Sequence, residues 1–137
     1  MTIVEPVTNA EAERRLEELL PGVGGHLGSP DAILTRAREL GATITREEVG
    51  EVRKVTLELA RYILHGLWEL DEPILIVTHR VRCFRVDAAR LLELVLDQYP
   101  VIGEHSFEGD QLFICTRSRR LLVWHHEAWV FDVQLAS

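Results

Sequence analysis

The last third of the chain places the tightest limits on the fold. Three apolar segments, QLFICT (111–116), RLLVWH (120–125) and AWVFDVQ (128–134), are separated by short polar links. Runs of this length, rich in β-branched and aromatic residues, read as strands, and such short links join antiparallel neighbours. With a turn centred on His126 and Glu127, Trp124 pairs with Trp129, Val123 with Val130 and Leu122 with Phe131. The same counting across RSRR sets Cys115 beside Leu122 and Phe113 beside Trp124. One face of this meander then carries Phe113, Cys115, Leu122, Trp124, Trp129 and Phe131, all apolar.

The first half has helical periodicity instead. Residues 1–7 read as a loose tail. Thr8 and Glu11 form a capping box ahead of Ala12, Leu16, Leu19 and Leu20, and Pro21 with Gly22 ends that helix. Ser29 is an N-cap with Pro30 at the first helical position, Ile33, Ala37 and Leu40 form the stripe, and Gly41 is the stop. A second capping box, Thr45 with Glu48, opens the longest expected helix, 46–69. It has one stripe at Val52, Val55, Leu59, Ile63 and Leu67 and another at Leu57, Leu64 and Trp68. PILIVT (73–78) and RVRCFRV (80–86) read as strands. Asp87 then caps a helix that Tyr99-Pro100 ends. The expected fold is α+β: N-terminal helices packed on a mainly antiparallel sheet, one helix inserted between strands, residues 1–137 forming a single globular domain.

Charge and composition narrow the function. The formal net charge is −7, which disfavours non-specific binding to nucleic acid or to an anionic membrane. There are fourteen arginines against one lysine, Lys54, a bias read as the base composition of a GC-rich bacterium. No apolar run reaches the ~18 residues a membrane span needs, and MTIVEPVTNAEAERR has no signal-peptide pattern, so a cytoplasmic location is expected. Cys83 and Cys115 are too far apart for a CxxC motif and are expected as buried thiols.

No cofactor or metal is expected. His125 and His126 are adjacent on or near a strand, so they point to opposite faces and do not chelate one ion together. His125 shares a face with Asp132, but about 13 Å along the strand separates their rows. PGVGGHLGSP (21–30) matches neither phosphate-loop spacing and reads as a connector. Arg80, Arg82 and Arg85, and likewise Arg117, Arg119 and Arg120, form clusters able to clamp an anion, or else solvated edges and turns.

The expected function is therefore a non-catalytic protein-interaction module of bacterial adaptor, antitoxin or immunity type, working through a protein partner or a homodimer. The second stripe of the long helix supplies the interface: Leu57, Arg61, Leu64 and Trp68. The alternative is a metal-dependent enzyme or small-ligand site near His105, Asp110, His126 and Glu127.

Overall fold

The computed structural model describes residues 4–48, 56–78, 82–102, 110–125 and 129–136. The fold is α+β. Its strands are β1 (Glu5–Val7), β2 (Thr43–Glu48), β3 (Pro73–Val77), β4 (Cys83–Asp87), β5 (Gln111–Cys115), β6 (Arg120–His125) and β7 (Trp129–Gln134). Its helices are α1 (Asn9–Leu19), α2 (Pro30–Glu39), α3 (Leu57–Leu64) and α4 (Leu91–Ile102), with 3-10 turns at Gly24–His26, Leu67–Glu69 and Ala88–Arg90. The strands form one sheet in the order β1-β4-β3-β5-β6-β7-β2, and every neighbouring pair is antiparallel.

Helices cover both faces. On one, Ala12, Leu16 and Leu20 of the α1 segment and Ile33 and Ala37 of α2 pack on Leu75, Val77, Leu112, Ile114, Leu121 and Val123. On the other, Ile63 and Leu64 of α3 and Leu91, Leu94 and Val95 of α4 pack on Ile74, Ile76, Phe113, Cys115, Leu122 and Trp124. This double cover explains the continuous apolar runs of the central strands: neither face of β5 or β6 meets water, so polar alternation is lost.

The first two helix starts are as expected. The Thr8 hydroxyl accepts from the Glu11 N–H at 3.2 Å, and the Ser29 hydroxyl accepts from the Ala32 N–H at 3.4 Å. Several other expectations are corrected. The 46–69 helix does not form as one element. Its expected capping box, Thr45 and Glu48, lies in β2, where Ile44 pairs with Val133 and Thr45 with Asp132. Two threonines around an isoleucine suit a strand, and six cross-strand pairs outweigh a short local cap motif. The helix proper starts at Leu57, with the Thr56 hydroxyl accepting from the Leu59 N–H at 3.1 Å. It stops when His65 and Gly66 turn left-handed, at φ 50° and 80°.

The expected loose tail contains β1, which pairs with β4 through Val7 and Cys83. The strand expected over 80–86 starts at Cys83. Arg82 precedes it, and its carbonyl accepts from the Thr78 N–H at 3.0 Å, while Arg80 and Val81 lie outside the described residues. The helix expected to end at Tyr99-Pro100 continues to Ile102. A proline near a helix end removes one backbone donor without reversing the chain.

The hairpin register also differs. His125 pairs with Trp129, Trp124 with Val130 and Leu122 with Asp132. Three residues, not an even number, separate the paired ends, and a one-residue slip moves a strand's side chains to the other face. Trp124 therefore faces α3 and α4, whereas Trp129 and Phe131 face α1 and α2. Between β5 and β6 the slip is two residues, with Phe113 opposite Leu122 and Cys115 opposite Arg120. A two-residue slip preserves the face, and Phe113, Cys115, Leu122 and Trp124 do share one.

Candidate functional site

A largely buried polar cluster lies where the end of α3 meets the β6-β7-β2 side of the sheet. Asp132 and Glu47 share a face because Thr45 opposes Asp132 and Glu47 opposes Val130, whose side chain packs beneath α3 and α4. Arg120 stands diagonally across from Asp132 on β6. One of its terminal nitrogens, Nη2, lies 3.1 and 3.0 Å from the two carboxylate oxygens. The same nitrogen donates to the His65 carbonyl at 2.9 Å, satisfying an acceptor at the helix end.

His65 lies between the two carboxylates. Its Nδ1 is 3.5 Å from Asp132 and its Nε2 is 3.7 Å from Glu47. The hydrogen bond to Asp132 raises the imidazole pKa above its ordinary value. The Glu47 and Asp132 charges add to this, while burial and Arg120 oppose it. Burial works against an ionised Asp132, but the His65 hydrogen bond and the charge and hydrogen bonds of Arg120 outweigh it and hold the carboxyl below its ordinary value. Tyr62 joins the cluster through a hydrogen bond with Glu47, which raises its phenol. Its ring centroid is 6.3 Å from that of His65.

With His65 protonated, two cations face two carboxylates and the cluster is neutral. It has acid–base groups, and among the described residues no activated nucleophile adjoins them. Cys115 lies on the same face, but burial, reinforced by Glu72, pushes its thiol up to about 12, which keeps it protonated and unreactive at neutral pH. The arrangement is suited to tying α3 to the β2 edge in a protonation-dependent way.

The expected interface stripe divides. Leu57 and Arg61 are exposed, Leu64 is 1 % exposed within the core, and Trp68 packs half-buried against the same core. Of the alternative site, His105, His126 and Glu127 lie outside the described residues. Asp110 is half-buried just before β5. It lines a cavity of about 10 Å³, room for a single water, with Leu27, Ile33 and Val123. His125 does not share a face with Asp132, as its expected register had it. It turns toward α2, where its Nε2 is 3.4 Å from Asp31. Among the described residues no group of three or more His, Cys, Asp or Glu side chains is arranged to hold a metal ion. None of the helices described is long and apolar enough to cross a membrane.

Sequence reasoning missed Glu47 and Tyr62, set His65 only at the border of the second stripe, and weighed Asp132 only as a neighbour of His125. It placed Arg120 only in a surface cluster. Two local signals pointed toward the site: an aspartate inside the apolar strand WVFDV, and His-Gly at the end of a helical stripe. Compared with known protein families, curated proteins and solved structures, the chain matches none.

Proposed function

We propose that the protein is a non-catalytic interaction module of the bacterial adaptor, antitoxin or immunity type, and that its surface takes a second copy of the chain. The observation that carries this reading is the outer face of α3. Of the four large apolar side chains left exposed among the described residues, two, Leu57 at 46 % and Tyr62 at 52 %, belong to this one short helix. Arg61 and Glu58 are exposed between them on the helix surface, so the face mixes apolar and charged side chains.

Glu47 of β2 lies close enough to Tyr62 to raise its phenol, so this face runs on into β2. Among the described residues, β2 has β7 as its only strand partner. A six-residue edge offers backbone donors and acceptors to another strand, and two-fold symmetry lets one patch complement itself. Antiparallel self-pairing about Thr45 sets Ile44 opposite Arg46 and Thr43 opposite Glu47, so no like charges oppose each other. Sedimentation velocity at micromolar concentration tests the reading. A dimer is expected, becoming monomeric in Leu57→Glu, an exposed substitution at the first helical position that leaves folding intact. A monomer at every concentration overturns it.

A further inference from the structure

A groove of about 360 Å³ opens on the other face of the sheet, between α1 and the ends of β3, β4 and β5. Its volume is within the range of small-ligand sites. Three arginines from three separate elements line it: Arg15 of α1, Arg85 of β4 and Arg117 of the β5–β6 turn. Leu75 and Pro73 provide apolar wall. We infer that this groove binds a small phosphate-bearing molecule, gripped by the guanidinium groups of Arg15, Arg85 and Arg117.

The arginines are positioned but poorly matched by the protein itself. Glu72 also lines the groove, but it is buried, 8 % exposed, and its carboxylate is occupied. It accepts from the Arg117 and Ser118 N–H groups, each at 3.0 Å, and from the Ser118 hydroxyl. Glu72 thus fixes the turn that presents Arg117. Nη1 of Arg117 donates to the Asp71 carbonyl at 2.8 Å, which orients the guanidinium, and among the described residues Arg117 makes no ion pair. Arg15 reaches Glu18 at 3.6 Å and Glu11 only at 4.0 Å. Arg85 reaches Glu11 at 3.9 Å and the 68 % exposed Glu5 at 3.3 Å. Arg85 donates a hydrogen bond to Glu5, and Glu11 is only 28 % exposed. A phosphate would have to compete with these carboxylates for Arg15 and Arg85, whereas Arg117 is the arginine without an ion pair among the described residues.

Arg85 Nε is buried and has no hydrogen-bond partner among the described residues. It is enclosed by the protein, so a ligand in the groove would meet the terminal nitrogens of Arg85, which now reach Glu5 and Glu11. Three guanidinium groups from different directions suit a tetrahedral dianion, which offers an oxygen to each, better than a carboxylate with two oxygens. Glu18 lines the groove itself and Glu5 and Glu11 contact its arginines, so a bound anion has to replace these carboxylates, which disfavours an extended polyanion most. This inference does not depend on the self-association reading.

The test is an NMR titration of the 15N-labelled protein with inorganic phosphate and, separately, with glycerol phosphate, at constant ionic strength set with chloride. Saturable shifts are expected at the Thr116, Arg117 and Ser118 amides and at Arg85 Nε. Affinity should fall about tenfold in Arg117→Gln, as loss of one charge-assisted contact implies, and similarly in Arg85→Gln. Arg117 is exposed, so its variant retains the fold if Arg85→Gln does not. Arg38→Gln, outside the groove, should bind like the wild type. Shifts absent at millimolar phosphate, scattered over the surface, or unchanged in Arg117→Gln overturn the assignment.

Discussion

Replacing Asp132 by asparagine keeps the side chain's shape and one acceptor oxygen but removes the charge on which the cluster beneath α3 depends. Both Asp132 oxygens lie 3.0–3.1 Å from Arg120 Nη2, and one lies 3.5 Å from His65. The side chains of Arg120 and His65 are only 16 % and 13 % exposed. Without the aspartate, His65 keeps Glu47 and Arg120 keeps only the His65 carbonyl among its contacts with described residues. Removing one member of a buried ion pair costs about 3–5 kcal/mol. Asp132 is 22 % exposed, so water screens part of that loss, and the asparagine oxygen recovers one hydrogen bond. The expected destabilisation is about 2–3 kcal/mol, against about 0–1 kcal/mol for an exposed pair.

The cost should depend on pH in a definite direction. The His65 pKa is raised in the folded state, so its contribution is complete below the unfolded value near about 6.5 and is lost as pH rises through the folded value. The Asp132 pKa is lowered, so its contribution is present above the unfolded value near about 3.9 and is lost as pH falls through the folded value. Asp132→Asn should therefore cost most between about pH 4 and 6.5, and less at about pH 9, where only the Arg120 contacts remain. Urea unfolding followed by tryptophan fluorescence across this range measures the difference. A cost below about 0.5 kcal/mol at about pH 5.5 would place the cluster among ordinary surface pairs. A cost equal at both ends of the range would remove His65 from the network.

Three further outcomes follow from the same geometry. Trp124→Ala, at a position 3 % exposed, should cost about 3–5 kcal/mol, whereas Trp129→Ala, half-buried beneath the Arg46 guanidinium at 4.2 Å, should cost about 1–2 kcal/mol. Equal losses in denaturant titrations would contradict their placement on opposite faces. Cys115 should resist thiol reagents in the native protein and react on unfolding, as its burial and its pKa of about 12 require, and rapid native-state labelling at that position would refute this. Mass-spectrometric metal analysis should find no stoichiometric transition metal. Zinc near one per chain, lost in His126→Ala, would establish the alternative site instead.

Local signals in the sequence were sufficient where structure is decided locally. Thr8 and Ser29 cap helices because the acceptor and the orphan N–H are three residues apart and little else competes. The meander was legible because its links are short. The motif at Thr45 failed because its outcome is decided elsewhere. The same T-x-x-E spacing forms a cap at Thr8 and a strand at Thr45, and the difference is β7, which offers Val133 and Asp132 to the second and nothing to the first. Thr56 was the cap to choose, nine residues before the left-handed His65 that ends α3 after Leu64.

The polar cluster was hidden by a single parity error. An aspartate in an apolar strand needs a cation on its own face, and the nearest arginines are those of the preceding strand. In the expected register Asp132 opposes Leu121, which turns it away from Arg120 and toward the face of His125. In the observed register it opposes Leu122, and Arg120 becomes its diagonal neighbour, within a guanidinium's reach. The error that placed Trp129 with Trp124 is thus the one that separated Asp132 from Arg120. Once that pair is set, the rest follows by exclusion of water. The guanidinium donates to the His65 carbonyl, the helix end is held over the strand, and the imidazole is confined between Asp132 and the one carboxylate that β2 brings to the same face, Glu47.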